Sequence, residues 1–201
     1  MQNYEFKSRK EYVKRVTSQE ELKEIALHDK DPETRLEAVG RITLQKILKE
    51  VFLNSSWCRL KLEALKKITN QRLLKKIALD KNYDVVIRIE AIRKIYDQKF
   101  LKLIALSDAE ENVRREAVRR ITDQDFLKQR ALDDDLPSVR REAIRRITDQ
   151  DFLKQRALDD DVSSVRREAV KRITDQEFLK QRALNDPSFF VRAEALQRVE
   201  N

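Results

Sequence analysis

One glycine, one cysteine, one histidine and one tryptophan in 201 residues leave little of the usual equipment for chemistry. A loop that cradles phosphate needs several glycines, because only a residue without Cβ lets backbone approach the anion closely. A zinc cluster needs several Cys or His ligands, and His28 and Cys58 stand alone. A single cysteine closes no disulfide within the chain, which points to a reducing compartment. No apolar run approaches the length of a membrane span, and the first 30 residues are charged throughout. These scarcities predict a cytoplasmic protein that is not an enzyme, with no cofactor, no metal and no membrane partner. Cys58 reads as a packing residue and His28 as a solvated turn residue.

What the chain does have is repetition. Ile147–Arg172 reads ITDQDFLKQRALDDDVSSVRREAVKR, and Ile121–Arg146 differs from it at four positions. Fainter copies are anchored on Val16, Ile42, Ile68, Ile95, Ile121, Ile147, Ile173 and Val199, a period of about 26 with one extra residue between Ile68 and Ile95. A fixed period of this size means stacked supersecondary units. It predicts one array over residues 1–201, with no separate domains.

Each copy reads as two helices. Val113, Ala117, Val118 and Ile121 fall on one stripe at 3.6 residues per turn, defining a helix B. Thr122-Asp123-Gln124-Asp125 is a helix start with a Thr or Asp cap, and Thr17–Glu20 and Thr174–Glu177 have capping-box spacing. A short helix A follows, carrying Phe126, Leu127, Ala131 and Leu132. Asp31-Pro32 and Asp186-Pro187 fit a cap followed by proline at the first helical position. Eight B helices and seven A helices result, an all-α fold. A row of alanines (Ala38, Ala64, Ala91, Ala117, Ala143, Ala169, Ala195) lets B helices approach closely. A row of leucines at 22, 48, 74, 101, 127, 153 and 179 is the constant knob of helix A.

The segment Asp134-Asp135-Leu136-Pro137-Ser138-Val139-Arg140, with Ala143 beyond it, resembles the HEAT-repeat pattern of Asp, then Arg six residues later, then Ala. Asp29 and Arg35, Asp108 and Arg114, Asp160 and Arg166, and Asp186 and Arg192 repeat it. Asn82 before Arg88 and Ser55 before Lys61 depart from it. The short period is closest to compact variants, including the leucine-rich repeat variant. The resemblance implies a right-handed α-solenoid of two-helix repeats, used as a protein-binding scaffold, with the Asp and Arg residues forming a hydrogen-bonded ladder along the stack. It also implies that the B helices line the concave surface.

Charge is unevenly spread. The net charge is +8, and residues 51–100 alone carry a surplus of seven cations. The eight B helices share a Glu row (Glu11 to Glu194) with Arg or Lys four residues later, the favourable order for helical ion pairs. Beside it, Lys14, Lys66, Arg93, Arg119, Arg145 and Lys171 lack an acid one full turn earlier. With Arg115, Arg141 and Arg167 they read as an unpaired cationic stripe on the concave face. The N-terminal copies carry Leu36, Leu62 and Ile89 in place of those last three arginines. A constant Lys row on helix A (Lys23 to Lys180) reads as a solvated outer face. The partner expected is a protein, with an acidic surface fitting the stripe, held along the concave face. The alternative is a nucleic-acid backbone held by a basic stripe centred on residues 57–99, where Trp57 would anchor a partner or stack on a base. Self-association through open solenoid ends is a third reading.

Overall fold

The stripes of the two helices dictate how they associate, since neither can bury its apolar face alone. In the computed structural model, which describes residues 9–200, fifteen helices and no strand occur among the described residues. They are joined in the expected A–B alternation, as an α-solenoid of helical repeats. Where the repeat predicts one array, the helices group into two compact units, Met1–Ile95 and Tyr96–Asn201.

In the first unit the B helices are α1 (Arg9–Arg15), α3 (Pro32–Arg41), α5 (Cys58–Lys67) and α7 (Val85–Arg93), alternating with the A helices α2 (Gln19–His28), α4 (Gln45–Asn54) and α6 (Gln71–Leu79). In the second, the A helices are α8 (Gln98–Ser107), α10 (Gln124–Asp133), α12 (Gln150–Asp159) and α14 (Gln176–Asn185). Its B helices are α9 (Glu111–Arg120), α11 (Pro137–Ile144), α13 (Ser163–Val170) and α15 (Phe189–Glu200). Within each unit every A helix packs on the B helix that follows it, and each B helix packs on the next B helix. The alanine row makes this close approach workable, because all seven alanines are fully buried. The anchor residues from Val16 to Ile173 and the helix-A leucines are buried between successive layers.

Helix starts sit one residue later than the capping-box spacing suggests. Ser18, Asn70, Asp97, Asp123, Asp149 and Asp175 each accept the backbone N–H three residues on. Thr69, Thr122, Thr148 and Thr174 before four of them are engaged elsewhere, as described below. Asp31 caps α3 with Pro32 behind it. Asp186, by contrast, ends α14, and its side chain accepts from the Ser188 N–H ahead of α15.

Candidate functional site

Most polar side chains of the repeat hold one copy to the next. Three sets of interactions do this, and together they decide which groups remain for a partner.

The first set is a glutamine clamp. Gln124, the first residue of α10, donates from Nε2 to the Arg146 carbonyl at 3.1 Å, and its Oε1 accepts the Thr148 N–H at 3.1 Å. Gln98 and Gln150 do the same to Arg120 and Thr122, and to Arg172 and Thr174. In the first unit Gln45 clamps Lys67 and Thr69. The clamp ties the linker of the following copy, which is why Thr69, Thr122, Thr148 and Thr174 precede a cap without capping. Sequence reasoning missed it, although the invariant glutamine spacing was a visible signal.

The second set involves Asp and Arg. The Arg of a copy reaches the Asp of its own copy only through that residue's main chain: Arg140 Nη1 donates to the Asp134 carbonyl at 3.0 Å. Its side-chain partner lies 20 residues ahead. Arg140 binds Asp160 through Nε at 3.2 Å and Nη2 at 3.1 Å, and Arg166 binds Asp186 through the same two nitrogens at 3.1 Å each. Arg114 stands 3.6 Å from Asp134 and 3.1 Å from the exposed Asp135, and it donates to the Asp108 carbonyl. Arg192 donates to the Asp186 carbonyl. In the first unit Asp29 takes Arg9 at 2.7 Å, while Arg35 donates to the Ala26 carbonyl instead of to Asp29. Where Ser55 replaces an aspartate, the Arg35 guanidinium lies 5.2 Å over the Trp57 ring. Trp57, expected to anchor a partner or stack on a base, is thus half-buried under an arginine of its own chain. Lys61 likewise sits over Phe52 and Tyr83 and donates to the Phe52 carbonyl.

The third set overturns the unpaired cationic stripe. Arg119 contacts Glu116 at 3.3 Å and Glu142 at 3.0 Å. Arg145 contacts Glu142 at 3.2 Å and Glu168 at 3.0 Å. Arg167 and Lys171 converge on Glu194 at 2.8 and 4.0 Å. Lys66 pairs with Glu63 at 2.7 Å and Arg93 with Glu90 at 3.4 Å. The reason is geometric: an acid three residues earlier serves as well as one four residues earlier, and the next copy supplies a second. In the second unit the glutamates are themselves buried, Glu142 to 3% exposure, whereas Glu63 and Glu90 are half-buried. Burial pushes the Glu142 carboxyl up, but the Arg119 hydrogen bond and the nearby Arg119 and Arg145 charges outweigh it and hold the group below its usual value. Of the other stripe residues, Arg115 and Arg141 are half-buried, and Arg141 has a buried Nε without a partner. Leu36, Leu62 and Ile89 are half-buried too.

Several of the cations four residues after each Glu take another task. Arg41, Arg146, Arg172 and Arg198 donate to the carbonyl oxygens of Val16, Ile121, Ile147 and Ile173, each 25 residues back. Lys94 reaches Leu65 in the same way, and burial pushes its ammonium below the ordinary lysine value. These side chains tie down the chain where the preceding B helix ends: Val16 and Ile121 directly follow α1 and α9, Ile147 and Ile173 lie three residues past α11 and α13, and Leu65 is in the last turn of α5.

The helix-A lysines are not merely solvated either. Lys128 pairs with the cap residue Asp149 at 2.5 Å and Lys154 with Asp175 at 2.6 Å; Lys102 pairs with Asp123. The same lysines lie over Phe152, Phe178 and Phe126, rings that Arg156, Arg182 and Arg130 also contact.

Two features stay outside these sets. Leu53 and Leu79 in the first unit, and Leu106, Leu132, Leu158 and Leu184 in the second, form a row at the last turn of the A helices, each 46–74% exposed. Between α4 and α6 lies an open groove of about 540 Å³ lined by Lys49, Leu53, Asn70, Arg72, Leu73 and Lys76. Its cations form no ion pair with a described residue. Cys58, expected to be packed, is exposed at the start of α5. His28 is exposed with Glu24 at 3.6 Å. No group of three or more His, Cys, Asp or Glu residues able to hold a metal occurs among the described residues. No described helix is long and apolar enough to cross a membrane. No protein-family model matches the chain, and no curated protein matches it.

Proposed function

We propose that this protein is a non-enzymatic scaffold of HEAT-like repeats that binds another protein along its A helices. The observation that carries this reading is the leucine row at the A-helix ends, exposed in register within each unit. Scattered surface leucines need no explanation, but a repeated apolar line on a highly charged protein marks a contact surface. The B side supports a partner less well than its composition suggests, because its cations are neutralised by buried glutamates. Pairing with the half-buried Glu63 and Glu90 likewise weakens the case for a nucleic-acid backbone over residues 57–99, where Lys66 and Arg93 are engaged.

Pull-down from native extract, with protein and nucleic acid both assayed, tests the reading. The expected result is a protein partner recovered by the native chain and lost with Leu132→Glu, Leu158→Glu. Both leucines are about half exposed, so circular dichroism of the variant should match that of the native chain. Recovery of nucleic acid without protein, or protein recovery indifferent to the leucines, overturns it.

A further inference from the structure

The α4–α6 groove departs from the second-unit pattern at the position that would otherwise cancel the charge of Lys49. In the second unit Lys102, Lys128 and Lys154 each pair with the cap aspartate 21 residues later. The equivalent partner of Lys49 is Asn70, which caps α6 through the Leu73 N–H at 3.0 Å. Asparagine caps a helix as well as aspartate does. The exchange therefore leaves the helix start intact and removes only the counter-charge.

Arg72 adds a second cation beside Lys49. Its register position holds a cation in the neighbouring copies too, Lys46 and Lys99, and an acid in the others, Glu20, Asp125, Asp151 and Glu177, where an acid suits the positive end of the helix dipole. α6 has no acid in its first turn and carries a cation there instead. α4 and α8 share this feature, so Arg72 adds charge to the groove without setting it apart, and Asn70 is what leaves that charge uncancelled.

We infer that this groove is a docking site for an acidic peptide segment of a partner protein, one carrying apolar anchors. Lys49, Arg72 and Lys76 supply the rim, and Leu53 with the half-buried Leu73 supplies the floor. Carboxylates on the segment complement the rim, which speeds encounter and fixes orientation, while its apolar side chains cover the leucines. A nucleic-acid backbone would satisfy the cations but leave the leucines uncovered. The inference rests on the protein-binding reading above and assigns one site within it.

The test uses the full chain and a fluorescent synthetic peptide with two leucines one helical turn apart on a glutamate-rich background. Fluorescence anisotropy should show saturable binding that weakens as salt rises. Asn70→Asp with Arg72→Asp restores the pattern at the starts of α10 and α12. It should keep or raise the unfolding midpoint while weakening the peptide by about tenfold or more, as removal of rim complementarity does. Leu53→Ser should weaken it to a similar degree. Three results overturn the site: no binding, equal binding of a leucine-free glutamate peptide, or tighter binding of single-stranded nucleic acid that ignores Leu53→Ser. If the peptide fails while the pull-down still yields a partner dependent on Leu132 and Leu158, this site falls and the scaffold reading stands.

Discussion

Asp134 and Asp186 occupy one register two copies apart, yet their surroundings set them in opposite directions. Asp186 is gripped by two nitrogens of Arg166 and by the Ser188 N–H. Burial pushes its carboxyl up, but the Arg166 hydrogen bonds and charge, with the Ser188 bond, hold it below the usual aspartate value. Asp134 has Arg114 only at 3.6 Å, because that guanidinium is drawn to Asp135. Burial therefore prevails and raises its carboxyl. A lowered folded value means stability that is present above about pH 3.9, the unfolded aspartate value, and lost as pH falls through the folded one. A raised value means that charging the group opposes folding, so acidification through it favours the folded state. Asp186→Asn should destabilise the protein by on the order of 3 kcal/mol at neutral pH, since Arg166 is left buried without its counter-charge. That deficit should shrink on acidification below the folded value. Asp134→Asn should cost less than about 1 kcal/mol, because the bond it loses is a poor one. Urea titrations of both variants at neutral and acid pH check the pair; equal deficits at neutral pH would show that the register, not the local grip, controls the group.

At the scale of the element, the short helices are held by their neighbours more than by their own composition. An isolated helix of ten residues is marginal in water, and α10, α12 and α14 are each ten residues long. The glutamine clamp joins the start of one A helix to the linker that begins the next. Gln124→Ala removes the bonds to Arg146 and Thr148. Both bonds are solvent-accessible, so water replaces part of them and the cost should be about 1 kcal/mol. Amide exchange of the Thr148 N–H should accelerate while protection in the buried middle of α10 persists. Unchanged exchange at Thr148 would mean that the clamp does not hold the linker.

At the scale of the whole chain, the second unit behaves as interchangeable copies. Deleting residues 122–147 joins Ile121 to Thr148 and presents each open partner with an equivalent one. Arg114 meets Asp160 and Asp161, Arg119 meets Glu168, and Gln98 meets Thr148, the groups that Arg140, Arg145 and Gln124 contact now. In a nearest-neighbour stack each copy contributes its own stability and one interface. The shortened protein should keep its helical signal per residue and unfold cooperatively, with a lower denaturation midpoint. Loss of helix on deletion would show that the copies carry information their sequences do not repeat.

The all-α fold, the number of helices and the buried rows were legible in the residues, because periodicity and burial are local consequences of where apolar side chains recur. Val113, Ala117, Val118 and Ile121 were placed on one stripe from spacing, and all four are fully buried. The partners of the charges were not legible. An arginine on a helix can meet an acid three residues before it, an acid 23 residues after it, or a carbonyl 25 residues behind it, and only the stacking distance between copies selects among these. So Arg119 and Arg145 looked free in the sequence and are bound, whereas Lys49, one lysine in a constant row, looked ordinary and has lost its acid to Asn70. Composition and period decide which faces are buried; three-dimensional register decides which charges remain to meet another molecule, because ion pairing acts across a few ångströms of space and not along the chain.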